Sequence, residues 1–188
     1  MLVGQQTGIF RFFFIISLFI FSCTTLLGQG QGNIWCFGDS AGIDFNNVNN
    51  PIPYINCVIN NTLELSASIS DDKGNLLFYT NGITVWNANH KKMKNGTGLL
   101  SHPTITQGVL IIPFPFDSLK YYIFTSNQTS PVFGFYYSVV DMSLDTGLGG
   151  IIAGLKNIEL LNFFIPEKLT AVKHGNGKNW WVLLHGYD

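Results

Sequence analysis

The residues most able to do chemistry in this chain are a serine in the stretch Phe37-Gly38-Asp39-Ser40 and four histidines. A serine becomes a nucleophile only when a general base lies within hydrogen-bond reach. Asp44 supplies a second carboxylate close to Ser40 in the chain. The candidate bases are His90, His102, His174 and His185. Ser40 is therefore a candidate nucleophile whose activity depends on where the fold places a histidine.

The Gly38-Asp39-Ser40 stretch resembles the nucleophile block of Gly-Asp-Ser-Leu hydrolases, which follows an N-terminal strand. In those enzymes the base comes from a late Asp-x-x-His sequence. The residues three positions before the four histidines are instead Asn87, Leu99, Ala171 and Val182. The hydrolase fold also needs crossover helices, and helix signals are almost absent here. We therefore interpret Asp39-Ser40 as a turn after the first strand, and an exported hydrolase using Ser40 is the alternative function.

The spacing of the histidines disfavours a metal site. His174 and His185 belong to the two arms of one predicted hairpin, in which His174 pairs with Asn179 and His185 lies near Lys168. Six residues of extended strand would separate the two histidines by about 20 Å, too far to share one ion. The acidic segment 71–75 is too compressed for a calcium loop, in which oxygen ligands alternate. The sequence thus indicates no catalytic residue, no metal ligand and no cofactor.

The charge of the chain disfavours nucleic acid as a partner. Its 188 residues include 10 Lys+Arg and 11 Asp+Glu, and charged residues make up 11%, against about 25% in an ordinary soluble domain. The single arginine, Arg11, lies in an apolar leader. Nucleic-acid binding is disfavoured because it needs a cationic stripe and usually arginine forks. Hydrophobic residues at 46% and aromatic residues at 14% predict a folded core rather than disorder.

Residues 1–30 are typical of an export signal. Arg11 supplies positive charge, Phe12 to Phe21 is apolar apart from Ser17, and Gly28-Gln29-Gly30 matches a small-x-small cleavage site. We expect cleavage near Gly30, because a ten-residue apolar core is short of the roughly 20 residues of a membrane span. A retained anchor and a lipoprotein attached at Cys23 are the alternatives.

Two cysteines, Cys36 and Cys57, remain once the leader is removed. In an oxidising compartment an even pair can form a disulfide. The alternative is a pair of small buried hydrophobic residues.

Strand signals recur along the rest of the chain. Leu65, Ala67 and Ile69 alternate with serines, which predicts a half-buried strand. The segment 71–75 then predicts a turn, and Asn81-Gly82 is a strong hairpin signal. The predicted strands are 33–37, 65–70, 76–80, 83–87, 109–112, 121–125, 135–140, 169–173 and 180–184.

The strands fall into antiparallel meanders that repeat every 40–50 residues or so, which is the signature of a β-propeller. We therefore predict an all-β fold with three- to four-stranded meanders, β-propeller-like, with a β-sandwich as the alternative. About 3.5 blades of ~45 residues fit into residues 31–188, whereas propellers close with about four to eight blades. The expectation is a β-propeller-like domain over 31–188 that is truncated at its C-terminus.

Several long motifs strengthen this interpretation through a family resemblance. They are Trp35 to Phe45, Ser66 to Gly82, Val85-Trp86-Asn87, His90, Met93, Asn95 to Leu99, Tyr121 to Thr125, Tyr137 to Met142 and Glu167 to His174. Together they resemble the N-terminal propeller-like region of large gliding-motility-associated surface proteins secreted by the type IX system. In that family, adhesion-type β-sandwich repeats and a C-terminal sorting domain usually follow, and an aromatic residue usually stands at the position of Cys36.

These observations favour a non-catalytic secreted or cell-surface module that acts through binding or as a scaffold. Its partner would be a protein or a glycan at the cell surface, and it would contact the membrane only through the leader. Aromatic residues come in adjacent pairs, of which one member is expected to pack between blades while the other can stack on a sugar or a partner. The pairs are Tyr121-Tyr122, Tyr136-Tyr137 and Trp180-Trp181. A non-functional fragment of a longer gene is a third interpretation.

Overall fold

The computed structural model describes residues 30–60, 64–129, 131, 133–165 and 167–186. Apart from Gly30, the predicted signal segment, with Arg11 and Cys23, lies outside these residues. Within them the predicted all-β class is confirmed, since the regular structure consists of strands and two 3₁₀ turns, Gly30–Gly32 and Asp145–Gly147. None of the helices in this part of the chain has the length and apolar character needed to cross a membrane.

In the described residues, fourteen strands form the framework. In chain order they are β1 (Ile34–Phe37), β2 (Ala41–Asp44), β3 (Ile52–Pro53), β4 (Ala67–Ser70), β5 (Leu76–Thr80), β6 (Thr84–Asn87), β7 (Lys92–Thr97), β8 (Val109–Pro113), β9 (Lys120–Asn127), β10 (Gly134–Asp141), β11 (Gly150–Ile151), β12 (Ile158–Leu161), β13 (Leu169–Lys173) and β14 (Trp180–Leu184).

Local turn chemistry connects consecutive strands into antiparallel meanders. Between β4 and β5, Asp71 Oδ1 accepts hydrogen bonds from two backbone N–H groups of the turn, at 2.9 Å each, and Gly74 takes a φ of +86°. Between β5 and β6, Asn81 Oδ1 accepts from the N–H of Thr84 at 2.8 Å, and Gly82 takes a φ of +80°. These are the turns that the sequence predicts, because Asp and Asn bond their own backbone and Gly tolerates positive φ.

The strands form three sheets. One has the order β1-β2-β3, one is the hairpin β13-β14, and the largest runs β4-β5-β6-β7-β11-β10-β9-β8, with β12 paired to β10. The largest sheet curls until its two outer strands, β4 and β8, lie side by side, so that it is nearly a closed barrel. Pairing is antiparallel throughout except between β11 and β7 and at an isolated parallel bridge from Gln107 to Lys168.

The first strand of each meander lies beside the first strand of the next. β1 lies beside β4, β4 beside β8, and β8 beside β13. The Ser68 hydroxyl joins β4 to β1 by donating to the Ile34 carbonyl at 2.7 Å. The parallel bridge from Gln107 to Lys168 lies just before β8 and β13. The strands β1, β4, β8 and β13, each the first of its meander, therefore lie side by side in the same order as in the chain.

Three apolar cores fill the spaces between successive meanders, because central strands alternate their side chains between two faces. Core one lies inside the curled sheet, core two between β1-β2-β3 and the β4–β7 meander, and core three between β8–β10 and the β13-β14 hairpin. Phe78 enters core one while its neighbour Tyr79 enters core two, and both are completely buried. Likewise Ile123 enters core one and Phe124 core three.

The adjacent aromatic pairs do not all behave as expected. Trp180 packs into core three and Trp181 is 57% exposed, as alternation predicts. Tyr121 and Tyr122 instead both pack, one into core one and the other into core three. The reason is that β9 has a packed layer on each side, so neither face of this strand is left to solvent.

A tyrosine–histidine pair connects core two to a surface turn. His90 lies between β6 and β7 with a φ of +59°, and its Nδ1 is 3.1 Å from the Tyr79 hydroxyl. That hydroxyl also accepts a hydrogen bond from the Val58 N–H at 3.1 Å. The Tyr54 ring completes the cluster, with its centroid 5.9 Å from that of His90.

This cluster predicts a loss of stability on acidification from pH 7.5 to 5. Burial lowers the pKa of His90, so the folded protein favours the neutral imidazole while the unfolded chain takes up a proton near pH ~6.5. The stabilisation is complete above about pH 6.5 and is lost as the pH falls through the lower folded-state pKa. Thermal unfolding at both pH values measures it. An asparagine at position 90 tolerates positive φ and does not titrate. The melting temperature of His90→Asn should therefore fall less between pH 7.5 and 5 than that of the wild type. Equal falls in the two proteins would contradict the prediction.

Candidate functional site

Ser40 lies in the hairpin turn between β1 and β2, as the sequence predicts. Phe37 and Ala41 pair across this turn, and both Gly38 and Ser40 have positive φ, +52° and +61°. The Ser40 N–H donates to the Ile59 carbonyl at 2.8 Å, which ties the turn to the following loop. The hydrogen bonds of this serine thus serve the backbone of the turn.

The histidines make their hydrogen bonds elsewhere. Within the described part of the chain, no hydrogen bond joins the Ser40 hydroxyl to a histidine. Asp44 Oδ1 accepts from the N–H and the side-chain amide of Asn46, at 2.7 and 2.8 Å. The Nδ1 atoms pair locally, His90 with Tyr79, His102 with Thr104 and His174 with Asn176. Among the described residues, therefore, Ser40 has no hydrogen-bonded histidine.

The β13-β14 hairpin separates its two histidines. Its register pairs Leu169 with Leu184 and Lys173 with Trp180, and the His174 N–H donates to the Asn179 carbonyl at 2.9 Å. His174 therefore lies at the turn and His185 beyond the opposite end, as predicted. Across the described residues, no group of three or more His, Cys, Asp or Glu side chains is placed to hold a metal ion.

Cys36 and Cys57 form a disulfide in this structure. Cys36 lies on β1 and Cys57 in the loop after β3, and each is 2% exposed within core two. The bridge closes a segment that contains β2, which pairs with β1, and the two-residue strand β3, after which the described chain up to Cys57 has no further strand. It therefore anchors an irregular loop against the first sheet.

Two adjoining cavities form a groove lined by aromatic rings, which we call the aromatic groove. Their volumes are about 510 and 410 Å³, and both contact Pro115 and Trp180. The groove lies between the β8–β9 loop and the β13-β14 hairpin. Its lining includes the aromatic residues Phe114, Phe116, Tyr122, Phe124, Tyr137 and Trp180.

The rings of the groove are held in place by one another and by core three. Phe114 stacks on Tyr122 with centroids 4.6 Å apart, and Tyr122 meets Tyr137 edge-on at 5.5 Å. Burial, reinforced by the neighbouring Tyr137, raises the pKa of the Tyr122 phenol, so that near neutral pH it remains a hydrogen-bond donor. The phenols of Tyr122 and Tyr137 and the carboxamide of Asn179 form no hydrogen bond with a described residue. A ligand in the groove would therefore meet fixed rings with available polar groups.

Lysines and an exposed phenylalanine border the same groove. The Lys173 Nζ lies 5.8 Å from the Trp180 ring centroid, and the Lys178 Nζ lies 5.4 Å from that of Phe116. Phe116 is 79% exposed and has a φ of +68°, a conformation that costs a non-glycine residue about 1–3 kcal/mol and is concentrated at functional sites. Asp117, the acid in the lining, is already paired with Lys120.

A third cavity, of about 520 Å³, lies where β1, β4 and β8 meet. Trp35 borders it, 52% exposed, with its indole N–H donating to the Gly32 carbonyl at 2.8 Å. The other lining residues are apolar apart from Ser66 and Ser68, and Ser68 already bonds the β1 backbone. This cavity therefore offers few polar groups and no charged side chain.

Sequence reasoning named some residues of this groove but did not predict the groove. Tyr122, Tyr137 and Trp180 belong to the adjacent aromatic pairs, of which the sequence did not say which member is exposed, and the segment 113–118 was interpreted only as a turn. The signal that would have singled it out is its two phenylalanines, Phe114 and Phe116, because turns are usually filled by Gly, Pro, Asn, Asp and Ser.

Comparison of the chain with protein-family models, curated proteins and solved structures finds no match. The assignment of a function therefore depends on the residues and the geometry described above.

Proposed function

We propose that this protein is a non-catalytic, secreted or cell-surface binding or scaffold module with a propeller-like arrangement of its meanders. We propose further that it is the N-terminal part of a larger gliding-motility or adhesion-type protein secreted by the type IX system. This proposal rests on the family resemblance of its sequence motifs. The aromatic groove is the binding site in this proposal.

The packing of the meanders supports the propeller-like arrangement. In a propeller each blade is a small antiparallel sheet that packs face to face against its two neighbours. Here the four first strands, β1, β4, β8 and β13, are neighbours in chain order, and each consecutive pair of meanders encloses one apolar core. The cavity bordered by β1, β4 and β8 would correspond to the wall of the central channel.

The disulfide supports export. Disulfides persist in oxidising compartments and are rare in the reducing cytosol, and Cys36 and Cys57 are bridged and buried. This agrees with the Phe-rich leader over residues 1–30.

The observation that carries the binding function is the aromatic groove itself. Exposed aromatic surface next to available polar groups is the composition of binding pockets, which are mostly apolar with a few placed donors and acceptors. Phe116 adds to it, since an exposed phenylalanine at positive φ is maintained at a cost to folding.

The proposal predicts a surface-exposed protein that lacks serine-hydrolase activity. Protease added to intact cells that produce the protein should digest it, whereas a cytosolic marker should survive. A fluorophosphonate probe should label the wild type and Ser40→Ala equally weakly, because Ser40 lies in a turn without a bonded base. Protection from external protease would overturn the surface location, and labelling that disappears in Ser40→Ala would establish the hydrolase alternative.

A further inference from the structure

We infer that the aromatic groove binds an acidic oligosaccharide, with a sugar ring against Trp180 and a uronate carboxylate close to Lys173 and Lys178. This inference rests on the proposed binding function and names the class of its ligand.

The first argument is the shape and surface of the groove. A pyranose ring has an apolar C–H face and a rim of hydroxyls, so it binds where a flat aromatic ring is bordered by polar groups. Trp180 supplies the ring, since it is only partly buried and is backed by core three. It contacts both cavities, whose volumes of about 510 and 410 Å³ each fall within the usual range for ligand pockets.

The second argument is the polar complement. The phenols of Tyr122 and Tyr137 and the Asn179 carboxamide line the larger cavity with Trp180. A phenol both donates and accepts, and a carboxamide offers two donors and an acceptor. Sugar hydroxyls also donate and accept, so these groups match them without a fixed charge.

The third argument is charge. Lys173 and Lys178 line the smaller cavity, and neither forms an ion pair with a described residue. Each ammonium instead lies over an aromatic ring, a contact worth only about 0.5–1 kcal/mol at an exposed site. The neighbouring acid Asp117 is neutralised by Lys120. This end of the groove therefore favours an anion, and a carboxylate on the bound sugar would supply it.

An acidic peptide fits the groove less well. Peptides that add to sheets depend on free backbone N–H and C=O groups at a strand edge. The strands that carry Tyr122 and Tyr137 are paired on both sides, β9 with β8 and β10, and β10 with β9 and with β11 and β12. Their contribution to the groove comes from side chains, which is the kind of surface that sugars use. The other strand at the groove, β14, pairs with β13 alone among the described strands, so a peptide probe is included in the test below.

Titration calorimetry with the purified protein tests the inference, using tetragalacturonic acid and the neutral cellotetraose as probes. At about 50 mM salt the acidic probe should bind about tenfold more tightly than the neutral one. This preference should shrink at about 500 mM salt, where charges are screened. Replacing both lysines, Lys173→Gln with Lys178→Gln, should abolish the preference, so that the two probes bind with similar affinity. The matched control, Lys92→Gln with Lys94→Gln on β7, should keep the preference.

Variants of the two tryptophans provide the second part of the experiment. Trp180→Ala should weaken the binding of both probes by about tenfold. Trp181→Ala, at the adjacent residue on the opposite face, should change the binding of neither probe. Because Trp180 also packs into core three, Trp180→Phe keeps an aromatic ring and should bind within a few-fold of the wild type. Unfolding curves for each variant separate lost binding from lost folding.

Three results would overturn the inference. They are no binding of tetragalacturonic acid, binding that survives Trp180→Ala, and tighter binding of tetraglutamate than of either sugar, which would indicate a protein partner. Each is distinguishable from failure of the proposed function, because a protein that is surface-exposed and not labelled at Ser40 keeps its assignment as a non-catalytic module whatever its ligand.

Discussion

Replacing Phe78 with alanine should destabilise the protein by about 3–5 kcal/mol. Phe78 is completely buried at the centre of core one. Its ring meets Tyr121 edge-on with centroids 5.5 Å apart, which joins the β4–β7 meander to the β8–β10 strands. Removing the ring would leave a cavity that the strands around it cannot close, because β5 is paired on both sides. The loss is a large share of the roughly 5–15 kcal/mol that stabilises a typical domain.

Urea unfolding of the wild type and of Phe78→Ala measures this loss. The matched control is Phe163→Ala, because Phe163 is 46% exposed and its truncation should cost less than about 1 kcal/mol. Similar midpoints for Phe78→Ala and the wild type would mean that core one does not bind the two groups of strands together.

Removing the disulfide should destabilise the protein by about 3 kcal/mol. Cys36 and Cys57 are 21 residues apart in the chain, and a bridge closing a loop of this size restricts the unfolded chain by about that amount. The part of the chain that follows β3 and carries Cys57 is otherwise held by the bonds from the Tyr54 N–H to the Gly42 carbonyl, from the Val58 N–H to the Tyr79 hydroxyl and from the Ser40 N–H to the Ile59 carbonyl. We therefore expect the backbone amides of this part of the chain to be the first to lose protection from hydrogen exchange when the bridge is removed.

Thermal melting with and without dithiothreitol, on the wild type and on the double variant Cys36→Ala with Cys57→Ala, tests this prediction. The reduced wild type and the variant should both melt about 6–12 °C lower than the oxidised wild type. The variant serves as its own control, because dithiothreitol should not lower its melting temperature further. If reductant leaves the wild type unchanged, the bridge does not stabilise the fold.

Much of the strand framework could be predicted because its causes are local. The predicted bounds are correct for the strand Leu76–Thr80 and for the hairpin of Leu169–Lys173 with Trp180–Leu184. The reason is that apolar runs and the turns between them depend only on residues that are close together in the chain. The strands that sequence reasoning missed are short or polar. β7, Lys92–Thr97, buries only Met93 and Gly96, so its residues show no apolar alternation and it exists because β6 offers a free edge.

The amino-acid sequence by itself determined the all-β class, most strand positions, the turn at Ser40 and the separation of His174 from His185, because each depends on residues close together in the chain. The tertiary structure alone decided which side chains meet. The aromatic groove combines a loop before β9 with a hairpin near the end of the described chain, and its lysines face rings from both. Alternation assigns Trp180 and Trp181 to opposite faces, but it cannot say which face meets a neighbouring meander, because that depends on how whole sheets pack.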